Sequence, residues 1–559
     1  MQLLIRLILT VFIFSIAALR LSAQSLGSSA DYNISPQDSS TGRSMFVDVH
    51  KVTGKIVYIW NDLDSVGTTR DIYCAIYKND MTPLVSRFRI NKNSGNEQIY
   101  AKVKVNQQDS TFVVAWASNH SGSYDVFVKK ISLNTASTNY ANVKTASESL
   151  VNNITAGDQN VPFLTFDYFK NELIVGFRDQ NGTDGSSTGA FARRFNYGAF
   201  TTINNQFQIN NYSTGAQHLN SIDISPVTGE LITLCQSNSA AETSNYNVIK
   251  RIFTYNSVTN NYDGQTETVV NSYTTGGQIN PWLVINSNTG DYLAAWTDDT
   301  QDLSGYGVYS KIFNKLHTQT IADFRVSNAT ANNQLTLRPV WDIFTNNIVY
   351  FFLYSVSNLS TLQYRIFTYN DQANTITAVN STDQSALWNG SSDINTYNYY
   401  ASNFSTVYNP VNQKLYIAYD RYRYNVSYNS TQSNGKARVF IYSNPSISAI
   451  TDYISYAELK TDLDGGYYTS IGNKFYFKYI EKYNQGASPG TVLNYKIFDY
   501  KRNVLGTASL NKVYGVNYYS VDLRGIASLN TNNQNYYTLE VYNDKGEKSI
   551  LRFKYIPEY

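Results

Sequence analysis

The sequence predicts an all-β chain: a seven-bladed β-propeller closed by an N-terminal strand, followed by a small β-sandwich. Three observations predict it. An apolar strand ending in an aromatic, a polar turn and an alternating strand recur at intervals of about 56–67 residues, a period that marks a repeat architecture. Tyr and Asn are abundant while only 15% of residues are charged, a balance that favours strands and turns over helices. Finally, the seventh repeat lacks its last strand, and an orphan copy of that strand stands near the N-terminus.

The chain opens on Arg6, an apolar run from Leu7 to Leu19 and the junction Leu21-Ser22-Ala23. A charged head, an apolar segment and small residues predict a signal peptide over residues 1–23, cleaved after Ala23. The run is shorter than the roughly 20 residues a bilayer span needs; an uncleaved anchor is the rival reading. No later stretch has transmembrane length, so the mature chain is expected to be secreted, extracellular or at the cell surface. A net charge of +2 gives no excess that argues for nucleic acid or an anionic membrane.

The apolar strands are KIVYIW (Lys55 to Trp60), TFVVAW (Thr111 to Trp116), ELIVGF (Glu172 to Phe177), ELITLC (Glu230 to Cys235), DYLAAW (ending at Trp296), NIVYFF (Asn347 to Phe352) and KLYIAY (Lys414 to Tyr419). Alternating strands such as RDIYCAIYK and SYDVFVKK follow. Each unit then closes with a strand, a polar turn and Gln98, Gln159, Gln217, Gln278, Gln334 or Gln384. After the Gln comes one more strand, such as LVINS, and a turn such as Asn-Thr-Gly. Four strands cannot bury both their faces alone, so seven units predict a propeller over residues 32–445. The orphan segment Tyr32 to Ser44 would complete the seventh blade and remove two open sheet edges.

The apolar strands do not alternate strictly, which fits strands covered on both faces. In the strand after each turn Val126 and Val128 can point one way, Phe127 and Lys129 the other. The closing aromatics Trp60, Trp116, Phe177, Trp296, Phe352 and Tyr419 read as core wedges, with stacking platforms as the alternative. Cys74 and Cys235 fall in blades that are not neighbours, so they read as buried apolar side chains rather than a disulfide.

The period is lost near Asn444 to Asp452, and short alternating strands continue: FYFKYIEKY, TVLNYKIFDY, NYYSVDLRG, NYYTLEVYND and SILRFKYI. This spacing predicts an immunoglobulin-like β-sandwich over residues 452–559. Its last two strands form a hairpin turning at Asn543-Asp544-Lys545-Gly546, with Tyr537, Leu539 and Val541 on the side of Leu551, Phe553 and Tyr555.

Chemistry is harder to find. His50, His120, His218 and His317 are scattered and read as single surface or turn residues, which leaves a zinc site without support. There is no Gly-x-Ser-x-Gly elbow or phosphate loop. No catalytic residue or cofactor is assigned; calcium is the one metal candidate. Asp298-Asp299 with Asp302, and Asp462-Leu463-Asp464-Gly465-Gly466, offer oxygens of the right kind but read first as solvated turns. The recurring Gln reads as scaffold, its amide satisfying buried backbone groups. Sequons stand at Asn33, Asn119, Asn153, Asn181, Asn211, Asn328, Asn358, Asn380, Asn389, Asn403, Asn425 and Asn429, about as many as composition alone supplies. They are candidate glycosylation sites in a eukaryotic host.

Units such as DSTFVVAWASNHSGSYDVFVKKI and GDYLAAWTDDTQDLSGYGVYSKIF resemble the propeller-forming repeats of large secreted and cell-surface proteins, which read loosely Gly-Asp-ϕ-ϕ-Val-Ala-Trp, an acidic turn, then Tyr-Asp-Val-Tyr. The resemblance implies the fold and leaves activity open, because propellers carry enzymes, lectins and scaffolds alike. The leading expectation is a non-enzymatic structural or adhesive protein of a surface or matrix, whose C-terminal sandwich mediates self-association or attachment to other extracellular proteins. The alternatives are a carbohydrate-binding lectin, or a glycan-active hydrolase or lyase with its site at the propeller mouth. Carboxylates converging on the axis would favour the enzyme, and exposed aromatics repeated between blades the lectin.

Overall fold

The chain is almost entirely β in a computed structural model. Within 25–443 it describes all residues except 29–31, 36–43, 52, 64–68, 186, 212–213, 239–244, 288, 343–345, 357–358, 386–396, 410–413 and 426–429; beyond 443 it describes 467–469, 474–478, 493–498, 504–510, 518–522, 526, 536–543 and 548–554. The signal-peptide expectation, residues 1–23, lies outside the described residues. Among the described residues no helix is long and apolar enough to cross a membrane.

The first unit has the sheet layout of a β-propeller. Its described residues form antiparallel sheets of four or five strands, each built from consecutive strands. The innermost strands are, in order, Phe46–Val49, Gln98–Val105, Gln159–Asp167, Gln217–Ile224, Gln278–Ile285, Asn333–Asp342 and Tyr397–Asn409. Each packs against the next, and Tyr397–Asn409 packs against Phe46–Val49. The last of these sheets takes its outer strands from the other end of the chain. Ser25–Ser28 pairs with residues 440–443, and Tyr32 and Asn33 pair with Ala437 and Lys436. The orphan segment therefore pairs where the repeat pattern places it, and the pairing begins seven residues earlier, at Ser25.

The wedge residues Trp60, Trp116, Phe177, Trp296 and Phe352 are wholly buried, and Tyr419 is nearly so. They bury apolar surface between neighbouring sheets, which is where a face that one sheet cannot cover must go. Gly176 marks a close approach of this kind: a Cβ there would stand 2.6 Å from Leu219 Cδ2 of the next sheet. Cys74 and Cys235 are free and buried. One short 3₁₀ turn, Tyr140–Thr145, interrupts the repeat. Asn139 caps it, and Tyr140 packs on Phe88 at 4.9 Å between ring centroids.

The repeated Gln belongs to this scaffold. Gln278 is buried, its Oε1 accepts from Asn271 Nδ2 at 3.1 Å, and its Nε2 donates to Thr275 O and to Asp298. Asn271 in turn accepts from Val248 N and donates to Tyr273 O. Asn152 with Gln159 repeats the arrangement. Such side chains satisfy the backbone groups that a turn between sheets leaves unpaired.

A second repeated device ties sheet to sheet through the third strands. Lys129 is buried and donates to Ile90 O at 2.7 Å. Arg193 donates to Val151 O, Arg251 to Ile209 O, Lys311 to Val270 O and Arg365 to Val326 O. In each case the cation of one sheet grips the closing strand of the preceding sheet. Acids on the following strand finish the grip: Glu267, Asp323 and Asp383 accept from the backbone of Asn211, Ser272 and Asn328.

The second unit is described by itself. One sheet runs Tyr467–Thr469, Lys474–Lys478 and Tyr518–Asp522; the other runs Val504–Leu510, Leu493–Phe498, Tyr536–Asn543 and Lys548–Lys554. The expected hairpin register holds, with Tyr537 opposite Phe553 and Leu539 opposite Leu551. Tyr537, Leu539 and Val541 are buried. Tyr555 and the hairpin turn residues 544–546 lie outside the described residues, as do Asp462 and Asp464. The strand Val504–Leu510, at the edge of its sheet, carries no clear alternation and was not expected.

Candidate functional site: a cationic axial channel

Seven side chains occupy equivalent positions on the inner strands, each opposite the residue that precedes the wedge. They are Phe46, Lys102, Phe163, Ser221, Trp282, Arg338 and Ser405. Backbone bulges deliver several of them. The register slips by one residue between Ile99 and Lys102, Asn160 and Phe163, Ile279 and Trp282, and Leu335 and Arg338. Inside each slip one residue has a left-handed backbone: Tyr100 (φ 58°), Val161 (φ 47°), Asn280 (φ 52°) and Thr336 (φ 53°). The extra residue resets the alternation, so the side chain four places after the Gln takes the new side.

Contacts show that this side faces the axis. Lys104 Nζ reaches Asp223 Oδ2 at 3.4 Å although these residues stand two sheets apart, and Thr165, from the sheet between, also donates to Asp223. Asp48 accepts from Val49 N and Val105 N, and burial raises its pKa against the pull of Lys104. These four residues form a polar layer two positions further along the strands. The channel thus has a layer of Asp48, Lys104, Thr165 and Asp223 beneath the layer of Lys102 and Arg338.

The upper layer is cationic and short of acids. Lys102 Nζ lies 3.5 Å from the centroid of the Phe46 ring and 5.7 Å from that of Phe163. Among the described residues it makes no hydrogen bond or ion pair. Burial pushes the ammonium well below the ordinary lysine range, and the charges of Arg338 and Arg178 push it further. Lys102 still keeps some solvent exposure, as a side chain walled by protein but lining a channel must.

The Arg338 guanidinium stacks on Trp282 at 4.0 Å, donates to Leu337 O, and leaves its buried Nε without a partner. Arg178 joins from the end of the second strand of its sheet, donating to Leu219 O at 2.9 Å. Burial brings both guanidinium pKa values down to about 10, so both keep their charge at neutral pH. No described carboxylate pairs with Lys102, Arg178 or Arg338, and like charges so placed repel unless an anion joins them.

Within the field of Arg178 stands His218, whose ring lies 5.6 Å from that of Tyr246 and whose Nδ1 meets Gln236 Nε2 at 3.2 Å. Burial, then Arg178, lowers its pKa to about 4, so it stays neutral. Of the other histidines, His120 lies in a turn and His317 at a bend, both half-buried, whereas His50 is buried. His50 is buried against Thr53, His120 meets Ser118, and His317 bridges Glu230 and Tyr292. Asp298 is no solvated turn residue: it is fully buried and accepts from Thr300 N, Gln301 N and Gln278. Among the described residues no group of acids, His and Cys is placed to hold a metal ion.

Of the sequon residues, Asn33, Asn153, Asn181, Asn211 and Asn328 are exposed and Asn119 is half-buried. Asn380 is buried, its Nδ2 donating to Thr382 O and its Oδ1 accepting from Ile366 N, so a glycan on Nδ2 would have to displace a buried side chain. Asn358, Asn389 and Asn429 lie outside the described residues; Asn403 and Asn425 sit in strands.

Sequence reasoning missed the axial residues. Their one trace is spacing: Lys102, Phe163, Trp282 and Arg338 each stand four places after a repeated Gln.

No protein-family profile and no curated protein matches the chain. Among solved structures it is similar to a puromycin hydrolase mutant (TM-score 0.40, 7% identity), covering 79% of this chain and spanning 59% of that one. It is also similar to the β-propeller domain of the Trilobed protease from Pyrococcus furiosus (TM-score 0.38, 7% identity, 69% of this chain and 94% of that one). A third is the α-L-arabinanase of Penicillium chrysogenum complexed with arabinobiose (TM-score 0.41, 14% identity, 64% and 99%). At such values nothing about activity follows for this chain.

Proposed function

We infer that the sheets of the first unit are the blades of a closed seven-bladed propeller, and that its axial channel binds an anionic saccharide. The carrying observation is the pair Arg178 and Arg338, two guanidinium groups without a described acid partner, near the unpaired Lys102 amine in a partly enclosed channel. Cations left unpaired in such surroundings are costly, and a carboxylate or sulfate on a ligand would relieve that cost with charge-assisted bonds. The rings of Phe46, Phe163 and Trp282 in the same layer supply apolar faces of the kind that pack on a sugar ring. Were residues 1–23 the leader their sequence predicts, the exported chain would meet such glycans outside the cell.

The test is calorimetric titration with digalacturonate and with its neutral methyl ester. Binding of the acid, weakened at least about tenfold in Arg338→Gln, supports the reading, since a buried charge-assisted contact is worth about 1.5–3 kcal/mol. Equal binding of the ester, or no binding of either, overturns it.

A second reading, hydrolysis or lyase chemistry on the same glycan, draws on Asp48 and Asp223, two carboxylates that share the lower layer of the channel. Both are held by backbone or hydroxyl donors, which suits positioning more than proton transfer, so binding leads. Release of new reducing ends from oligogalacturonate that stops in Asp223→Asn would reverse that order.

A further inference from the structure

We propose that Lys102 is a nucleophile that forms a reversible imine with an oxo-acid, a ligand whose carbonyl carbon lies beside its carboxylate. The inference rests on the axial-binding reading and names the ligand chemistry of that same site.

Three features of position carry it. The Lys102 amine lies over the face of Phe46, 3.5 Å from its ring centroid, with the Phe163 ring centroid 5.7 Å away. No carboxylate or carbonyl among the described residues accepts from it, so nothing on the protein holds it as an ammonium, and its lowered basicity agrees. An apolar setting and neighbouring positive charge both favour the free base of an amine, the form that attacks carbonyls. Arg338 holds the position equivalent to Lys102 on its own inner strand, and it and Arg178, whose charges act on the amine, both retain charge to grip a carboxylate. A ligand whose carboxylate sits on the guanidinium groups would bring an adjacent carbonyl to the amine.

The step balances. The Nζ lone pair forms a bond to the carbonyl carbon, the oxygen takes up the proton lost by nitrogen, and the resulting carbinolamine loses water to leave the imine. No oxidant or reductant is consumed, and water reverses the reaction. Two sources offer this chemistry, a simple 2-oxo acid and the open-chain form of a 2-keto sugar acid.

The experiment is trapping with sodium cyanoborohydride in the presence of pyruvate or of 2-ketogluconate, with acetone as the control lacking a carboxylate. Intact mass counts the adducts and peptide mapping places them. The expected result is one reduced adduct per chain, on Lys102, formed at least about tenfold faster than on any other lysine and not formed from acetone. The faster of the two acids names the source. Lys102→Arg should lose the adduct, while mapping of the wild-type protein serves even if that variant folds poorly. Labelling spread over the exposed lysines, or equal labelling by acetone, overturns the proposal. Uronate binding that persists in wild type without an adduct would remove the imine and leave the axial site standing; loss of both would remove the site as well.

Discussion

At the scale of single residues the molecule places stability and function in opposition. Lys102 sits where its charge is disfavoured, and its lowered pKa gives that opposition a sign. Between its folded pKa and the ordinary lysine value near 10.4, the unfolded chain binds more protons than the folded one. Stability therefore rises with pH through that window, and the penalty is complete below it. Lys102→Met should accordingly raise the urea midpoint at pH 7, and its advantage over wild type should shrink as pH climbs toward 10. A constant advantage across pH would mean that the amine is charged in the fold. The strained backbones at Val161 and Thr336 belong to the same pattern, because β-branched residues rarely adopt positive φ and here they carry the bulges that aim the axial side chains. Neither strain nor an unpaired amine was legible in the sequence. Both depend on where neighbouring strands stop pairing, which residue types do not state.

At the scale of elements the repeated strands were legible, and the ties between them only in part. The buried Gln and its Asn partner could be read as scaffold because they recur with the period. The gripping cations Lys129, Arg193, Arg251, Lys311 and Arg365 recur as regularly, yet a basic residue on an alternating strand reads as solvent-facing until the neighbouring sheet is in place. Lys311 is the sharpest case: it donates to Val270 O and pairs with Asp323 at 2.8 Å with both side chains buried. Removing one partner of such a pair strands the other, at a cost of about 3–5 kcal/mol. Lys311→Met should lose about that much in denaturant titration, and the double variant with Asp323→Leu should recover a large part of it. A single variant of unchanged stability would show that the grip is ornamental. The first sheet has Ala75 at this position, opposite Tyr58, and Ala75 packs in the same apolar cluster as Ile34; apolar contact takes the place of the grip there.

At the scale of the whole molecule the ends of the first unit matter most. Ser25–Ser28 and Tyr32–Asn33 cover the outer edge of the strand Ser430–Ser443, and an uncovered edge invites pairing with another chain. Deleting residues 25–35 should lower the melting temperature and produce concentration-dependent association in size-exclusion chromatography, whereas a monomer with unchanged melting would show that closure does not depend on those strands. The sequence by itself determined the β class, the repeat with its buried wedges and paired Gln, and the site where the N-terminal strand docks. These are written in periodicity, and any sheet that must hide two faces enforces them locally. Tertiary structure alone decided the axial channel. Phe46, Lys102, Phe163, Ser221, Trp282, Arg338 and Ser405 differ in chemistry and are far apart in the chain. They become one surface only because bulged inner strands from successive sheets turn toward a common axis.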